Sequence, residues 1–257
     1  FMEAIVHRVV TGSIEGLKRL IDGVNIQAGN GLMVFACDAN GFTPDTINPI
    51  LRNAPFPVFG GVFPAIIYGK KLLRKGTVAA VLPLADEVHC LPGLSSDDAD
   101  YDTMLECLFP DIQAEQTMMV LVDGLSQRIS AFVEGLFNIF GLDINYIGGG
   151  AGSLDGSRKP CLFTNSGVVA DGDVIALLSC KSGVGVCHGW EDLSGPYQIT
   201  EAHHNTIITL DWRPAFDVYA EAVSLHLGRP LDKNNFFDIA KGHPFGISRL
   251  GTEEIIR

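Results

Sequence analysis

The sequence predicts an α/β fold made of two similar β-α-β-β units, whose mostly buried mixed sheets are covered by helices. Three observations carry this prediction. The same order of segments occurs twice along the chain. The strands are near-continuous apolar runs, which is typical of sheets covered on both faces, as in an α-β-β-α sandwich or a doubly covered sheet. Finally, 47% apolar residues in a chain of 257 are enough for a sizeable core.

The first unit begins with an apolar run, residues 33–38, that ends in Asp38. Thr43-Pro44 follows, a pair typical of a helix N-cap and first helical position. The next strand, residues 57–63, contains Gly60-Gly61, and after a short element a glycine-led strand covers residues 76–84.

The second unit repeats this order. The apolar run 118–123 ends in Asp123, and Ser126 is the expected cap of a helix with apolar residues at helical spacing over 129–140. A glycine-rich strand, residues 144–152, and a glycine-led strand, residues 172–179, complete the unit. The second unit has an additional glycine- and serine-containing insertion, residues 153–160.

These patterns predict four segments. They are a first repeat (1–93), a connecting segment (94–117), a second repeat (118–195), and a hairpin and helix leading into a short or truncated C-terminal region (196–257). In the connecting segment, Tyr101, Met104, Leu105 and Leu108 suggest a short helix that Pro110 stops.

The composition makes several classes of partner unfavoured first expectations. The formal net charge of −12 argues against binding to nucleic acid or to an anionic membrane. No apolar run is long enough for a membrane helix, and the first residues lack the layout of a signal peptide. The six cysteines contain no CxxC pair, as expected of reduced thiols in a cytoplasmic protein.

The expected ligand site lies where the two units meet, at the ends of their strands. Glycines and strand ends let a ligand approach the backbone, and backbone N–H groups suit carboxylates. The predicted ligand-binding residues are Asp38, Gly60, Gly61, Asp123, Gly148, Gly149, Gly150, Ser153 and Asp155. The alternative interpretation is structural: the glycines permit close approach of two backbones, and the aspartates close their strands.

Recognisable catalytic motifs are missing. The glycines at 148–150 are followed by a loop instead of a helix, so they do not form a dinucleotide-binding turn. The sequence has no phosphate-binding GxxxxGK[ST] motif, no GxSxG elbow and no His/Cys group with metal-ligand spacing. We therefore expect no enzymatic activity and no cofactor, and an enzyme with an unrecognised active site stays as an alternative. His188, beside Gly189-Trp190, is the candidate for the alternative of a heme ligand.

Two stretches resemble a known family. Residues 146–153 together with 168–174 are similar to the signature of the FIST N-terminal domain, and Gly189-Trp190 followed by 210–219 resembles the junction into the FIST C-terminal domain. The resemblance implies an intracellular sensory module that binds amino acids or similar small ligands and acts on a signalling partner such as a histidine kinase. Some members are heme proteins that sense nitric oxide. Family members usually continue into a substantial C-terminal domain.

Overall fold

The structure is a computed structural model that describes residues 5–9, 12–110, 112, 116–153, 155–185, 189–203, 206–231, 234, 236–249 and 252–256. The chain divides into two compact units, Phe1–Val184 and Gly185–Arg257. This division does not follow the predicted connection at 94–117, because residues from both predicted repeats share one core in the first unit.

The first unit contains four α-helices and eleven strands among its described residues. The helices are α1 (Ile14–Gly23), α2 (Pro44–Arg52), α3 (Tyr101–Leu108) and α4 (Ile129–Phe140). The strands are β1 (Ile5–Val9), β2 (Asn30–Cys37), β3 (Val58–Phe63), β4 (Ile66–Tyr68), β5 (Lys71–Leu73), β6 (Thr77–Pro83), β7 (Thr117–Asp123), β8 (Asn145–Ala151), β9 (Leu162–Thr164), β10 (Gly167–Val169) and β11 (Asp173–Leu178).

Two mixed sheets build this unit. The larger sheet has the order β1-β6-β2-β3-β9-β10 and the smaller has β11-β7-β8. In the larger sheet only β2 and β3 run parallel, and in the smaller only β7 and β8 do. β4 and β5 form a separate antiparallel hairpin. The α/β class predicted from the sequence is confirmed.

The two strand sets have the same connectivity. In the first set, β2 lies between its parallel neighbour β3 and the antiparallel β6; in the second, β7 lies between the parallel β8 and the antiparallel β11. The register also agrees, since Val34 pairs with Gly60 and Val120 pairs with Gly148. An ancestral duplication remains an interpretation of this agreement.

Three apolar clusters show the order of the layers. Leu17 of α1 and Ile47 of α2 pack on the outer face of the larger sheet. Leu105 and Phe132, from α3 and α4, pack on the outer face of the smaller sheet. A third cluster, which contains Phe59 of the larger sheet together with residues of β7, β8 and β11, fills the space between the sheets. The layers therefore follow the order helix, sheet, sheet, helix.

One of the two predicted helix caps is correct. Thr43 is the N-cap of α2, and its backbone N–H donates to the Thr46 hydroxyl at 3.0 Å. Ser126 is not the cap of α4, whose N-cap is Arg128. The Ser126 hydroxyl instead donates to Asp171 Oδ1 at 2.9 Å, so this side chain ties two loops together.

The second unit contains the predicted hairpin and helix. Its elements are β12 (Ile199–His203), β13 (Thr206–Leu210), β14 (Arg213–Pro214), α5 (Ala215–Leu227), α6 (Phe236–Ala240), β15 (Ile247–Arg249) and β16 (Thr252–Ile256). The Asp211 carboxylate accepts from the Gln198 N–H at 2.9 Å. Arg213 forms an ion pair with Glu221 at 2.7 Å.

Candidate functional site

The candidate site forms where the end of β2 meets the insertion that follows β8. The Ser153 hydroxyl donates to Asp38 Oδ2 at 2.6 Å. These two residues meet because the chain leaves β8 toward the larger sheet: the Gly152 N–H donates to the carbonyl of Val62, in β3, at 2.8 Å. Since β3 is the parallel neighbour of β2, Ser153 arrives beside the residue that follows β2.

A small cleft lies beside this hydrogen bond. Its lining combines one carboxylate, one ammonium group, two thiols and an apolar wall: Cys37, Asp38, Phe42, Val62, Gly152, Ser153, Lys159, Pro160 and Cys161. Its volume of about 30 Å³ holds one or two water molecules. The insertion supplies Ser153, Lys159 and Pro160 to this lining.

The insertion leaves and returns at the same residue of β3. The Val62 carbonyl accepts from the Gly152 N–H, and the Val62 N–H donates to the Cys161 carbonyl at 2.8 Å. Within the insertion, Asp155 accepts from the Ser157 N–H at 2.8 Å and lies 3.2 Å from Lys159 Nζ. The hydrogen bonds from Ser157, and then the one from Lys159, lower the pKa of the Asp155 carboxyl. Ser153 and Lys159, near the two ends of the insertion, both line the cleft.

Both thiols of the cleft are protonated at neutral pH. Burial raises the pKa of Cys37, whose thiol donates to the Leu73 carbonyl at 3.3 Å. Burial, followed by the neighbouring Asp123 carboxylate, raises the pKa of Cys161 to about 12. A thiol held in this form is a poor nucleophile, since the thiolate is the reactive species.

The two strand-end aspartates have different surroundings. Asp38 lines the cleft, whereas Asp123 is 5% exposed and is not among the residues lining it. The Asp123 carboxylate accepts from the backbone N–H groups of Leu125 at 3.0 Å and Asp171 at 2.8 Å. These bonds hold two turns together, so the geometry favours the structural interpretation for Asp123.

The glycines of the two parallel strands have a shared structural role. A Cβ on Gly60 would lie 1.9 Å from the Val34 carbonyl oxygen, and one on Gly148 would lie 1.7 Å from that of Val120. Gly61 is close to the Cys161 carbonyl oxygen, at 2.8 Å from an added Cβ. None of these three glycines lines the cleft, and neither do Gly149 and Gly150. The structure thus brings together Asp38 and Ser153, with Asp155 holding the cleft residue Lys159.

A second, larger cavity was not predicted. It has a volume of about 520 Å³ and is an open groove at the end of β2 and β3 opposite to the cleft. Its polar side chains are Asn30, at the start of β2, and the loop residues Gln27, Asp86 and Glu87. Because these residues come from distant parts of the sequence and form no motif, sequence patterns alone do not indicate the groove.

The heme and metal hypotheses receive no geometric support from these cavities. Neither cavity is lined by a histidine, so neither fits a heme held by an imidazole. His188, the predicted heme candidate, lies outside the described residues. Within the described part of the chain, no group of three or more His, Cys, Asp or Glu side chains has the geometry of a metal site. The helices found there are also too short or too polar to cross a membrane.

Comparison with known proteins gives one match. The family model described as the FIST N domain matches residues 31–213, which include both sheets' parallel strands, the insertion and the start of the second unit. No curated protein and no solved structure matches the chain significantly.

Proposed function

The chain belongs to the FIST N domain family, and from this premise we propose that it binds a small ligand at the Asp38–Ser153 cleft without transforming it. The proposed ligand is an amino acid or a similar small carboxylate. FIST domains are sensory domains of signal transduction, so we further propose that ligand binding alters the association with a signalling partner in the cytoplasm, such as a histidine kinase.

The observation that carries this proposal is the pair of opposite charges at one small cleft. Asp38 supplies a carboxylate and Lys159 an ammonium group, next to the apolar side chains of Phe42 and Val62. A zwitterionic ligand matches this arrangement, with its ammonium group toward Asp38 and its carboxylate toward Lys159. Such a ligand replaces the Ser153–Asp38 and Asp155–Lys159 contacts, so it must open the insertion.

The chemistry of the cleft supports binding without catalysis. A nucleophilic mechanism needs an activated nucleophile beside a base. The two thiols are protonated at neutral pH. Ser153 donates to a carboxylate, Asp38, but no histidine lines the cleft to complete a triad.

The first test identifies what the protein carries. Full-length protein is purified, denatured and filtered, and the released small molecules are identified by mass spectrometry. The proposal expects a stoichiometric amino acid or small carboxylate. A stoichiometric heme, with its visible absorbance, would favour the gas-sensor alternative, and a ligand that incubation with fresh protein converts to product would favour an enzyme.

A further inference from the structure

The charge of this chain is unevenly distributed. Residues 46–85 contain five basic and no acidic residues, whereas the rest of the chain contains 13 basic and 30 acidic residues. Four of the five, at 70, 71, 74 and 75, fall within six positions. The net charge of −12 is therefore the sum of the charges of one cationic segment and of an otherwise acidic chain.

The four clustered basic residues lie in the β4–β5 hairpin or directly after it. Lys70 is in the turn, Lys71 is in β5, and Arg74 and Lys75 follow β5. Lys70, Lys71, Arg74 and Lys75 are all exposed, and none of them belongs to an ion pair within the described part of the chain. On the outer side of the hairpin, Ile67 pairs with Leu72 across the two strands. Their exposed fractions, 75% and 57%, are large for apolar side chains. The opposite side packs inward through Ile66, which is 6% exposed.

We propose that this cationic hairpin binds peripherally to an anionic lipid surface. The cations contact lipid headgroups, while Ile67 and Leu72 enter the boundary between headgroups and acyl chains. The acidic remainder of the chain does not prevent this, because charges farther away than about 8 Å are largely screened at physiological ionic strength. Local charge, more than net charge, thus decides the interaction.

The size of the surface favours a lipid over a protein partner. A stable protein interface takes about 20 to 30 residues from each side. The hairpin offers one exposed apolar pair within eight residues, 66–73, and none of these residues lines either of the two cavities described above. A lipid surface requires no matching pocket, so the cationic hairpin with its exposed apolar pair is sufficient for weak, reversible binding.

Co-sedimentation with vesicles tests the proposal. Full-length protein is mixed with phosphatidylcholine vesicles that contain about 30 mol% phosphatidylserine, or none, at about 0.05 M and about 0.5 M salt. Binding is expected only to the anionic vesicles, and mainly at low salt. Each basic residue near such a surface contributes about 1 kcal/mol, so Lys70→Gln with Lys71→Gln should lower the partition coefficient about 30-fold.

Two further variants distinguish binding through the hairpin from an effect of the protein's net charge. Lys18→Gln with Arg19→Gln removes the same two positive charges as the hairpin variant, but from the exposed side of α1, and it should leave vesicle binding unchanged. Leu72→Ser should weaken binding at least about threefold without changing the charge. The proposal is overturned if the wild type does not bind anionic vesicles or if the α1 variant loses binding equally. It is also overturned if light scattering without vesicles shows a salt-sensitive dimer that the hairpin variant lacks.

Discussion

The Ser153 hydroxyl donates to Asp38 Oδ2 at 2.6 Å across a sequence separation of 115 residues. This contact joins the residue after β2 to the first residue of the insertion after β8. Both residues line a small cleft with room for one or two water molecules. Ligand binding and loop opening are therefore coupled in the function that we propose, because a ligand must break this contact to enter.

The first prediction concerns the insertion. Replacing residues 153–159 by two glycines should keep the fold, because Gly152 and Cys161 already lie beside the same residue, Val62. It should weaken ligand binding at least about tenfold, since Ser153 and Lys159 are removed. Thermal melts and calorimetric titration measure the two effects. Unchanged affinity would show that the insertion plays no part in binding.

The second prediction concerns the glycine of each parallel strand. Gly60→Ala should destabilise the protein by about 2–4 kcal/mol, because the added Cβ meets the Val34 carbonyl oxygen at 1.9 Å and the φ of +146° disfavours a side chain. Gly148→Ala should behave similarly. Gly149→Ala is the matched control, with open space around its added Cβ and an expected change within about 1 kcal/mol. Equal urea stability of all three variants would refute this account of the glycines.

The third prediction concerns the buried carboxyl of Asp173, which is 0% exposed. Its Oδ1 accepts from the Leu91 N–H at 3.2 Å, while Oδ2 has no hydrogen-bond partner among the described residues. Burial raises the pKa of this carboxyl from 3.8 to about 7. Between these values the folded state binds more protons than the unfolded state, so this group makes stability fall as pH rises.

Asp173→Asn should remove this dependence. The variant should gain about 2 to 3 kcal/mol of stability relative to the wild type from pH 5 to pH 8, because about two pH units lie between pH 5 and the folded pKa of about 7. Urea unfolding of both proteins at the two pH values isolates the effect, because the other titrating groups are common to both. A difference in stability that does not change with pH would contradict the raised pKa.

The sequence predicts the fold class because its periodic signals are local. The apolar runs ending in Asp38 and Asp123, and the capped helix at Thr43, depend on residues within one or two turns of each other. The cap at Ser126 was wrong because its hydroxyl bonds Asp171, 45 residues away, and no local pattern contains that competition.

The candidate site was predictable only in part. The strand ends and the insertion predicted Asp38 and Ser153 as site residues. Whether a glycine contacts a ligand or packs against a neighbouring strand, however, depends on which backbone faces it in the sheet. Gly60 faces Val34, and Gly148 faces Val120, at distances that only the strand register determines. The basic residues of the cationic hairpin can be read from the sequence, but the net charge does not reveal them because it sums over the whole chain.

The most direct test of the proposed function is calorimetric titration of the wild type and Asp38→Asn with individual amino acids and small carboxylates, followed by analysis of the recovered ligand. Asp22→Asn, an exposed carboxylate on α1, controls for the change in charge. We predict saturable binding of one ligand class to the wild type and Asp22→Asn, at least about tenfold weaker binding to Asp38→Asn, and unchanged ligand afterwards. Equal affinity of Asp38→Asn, or recovery of a converted product, would contradict a non-catalytic sensor with its site at Asp38.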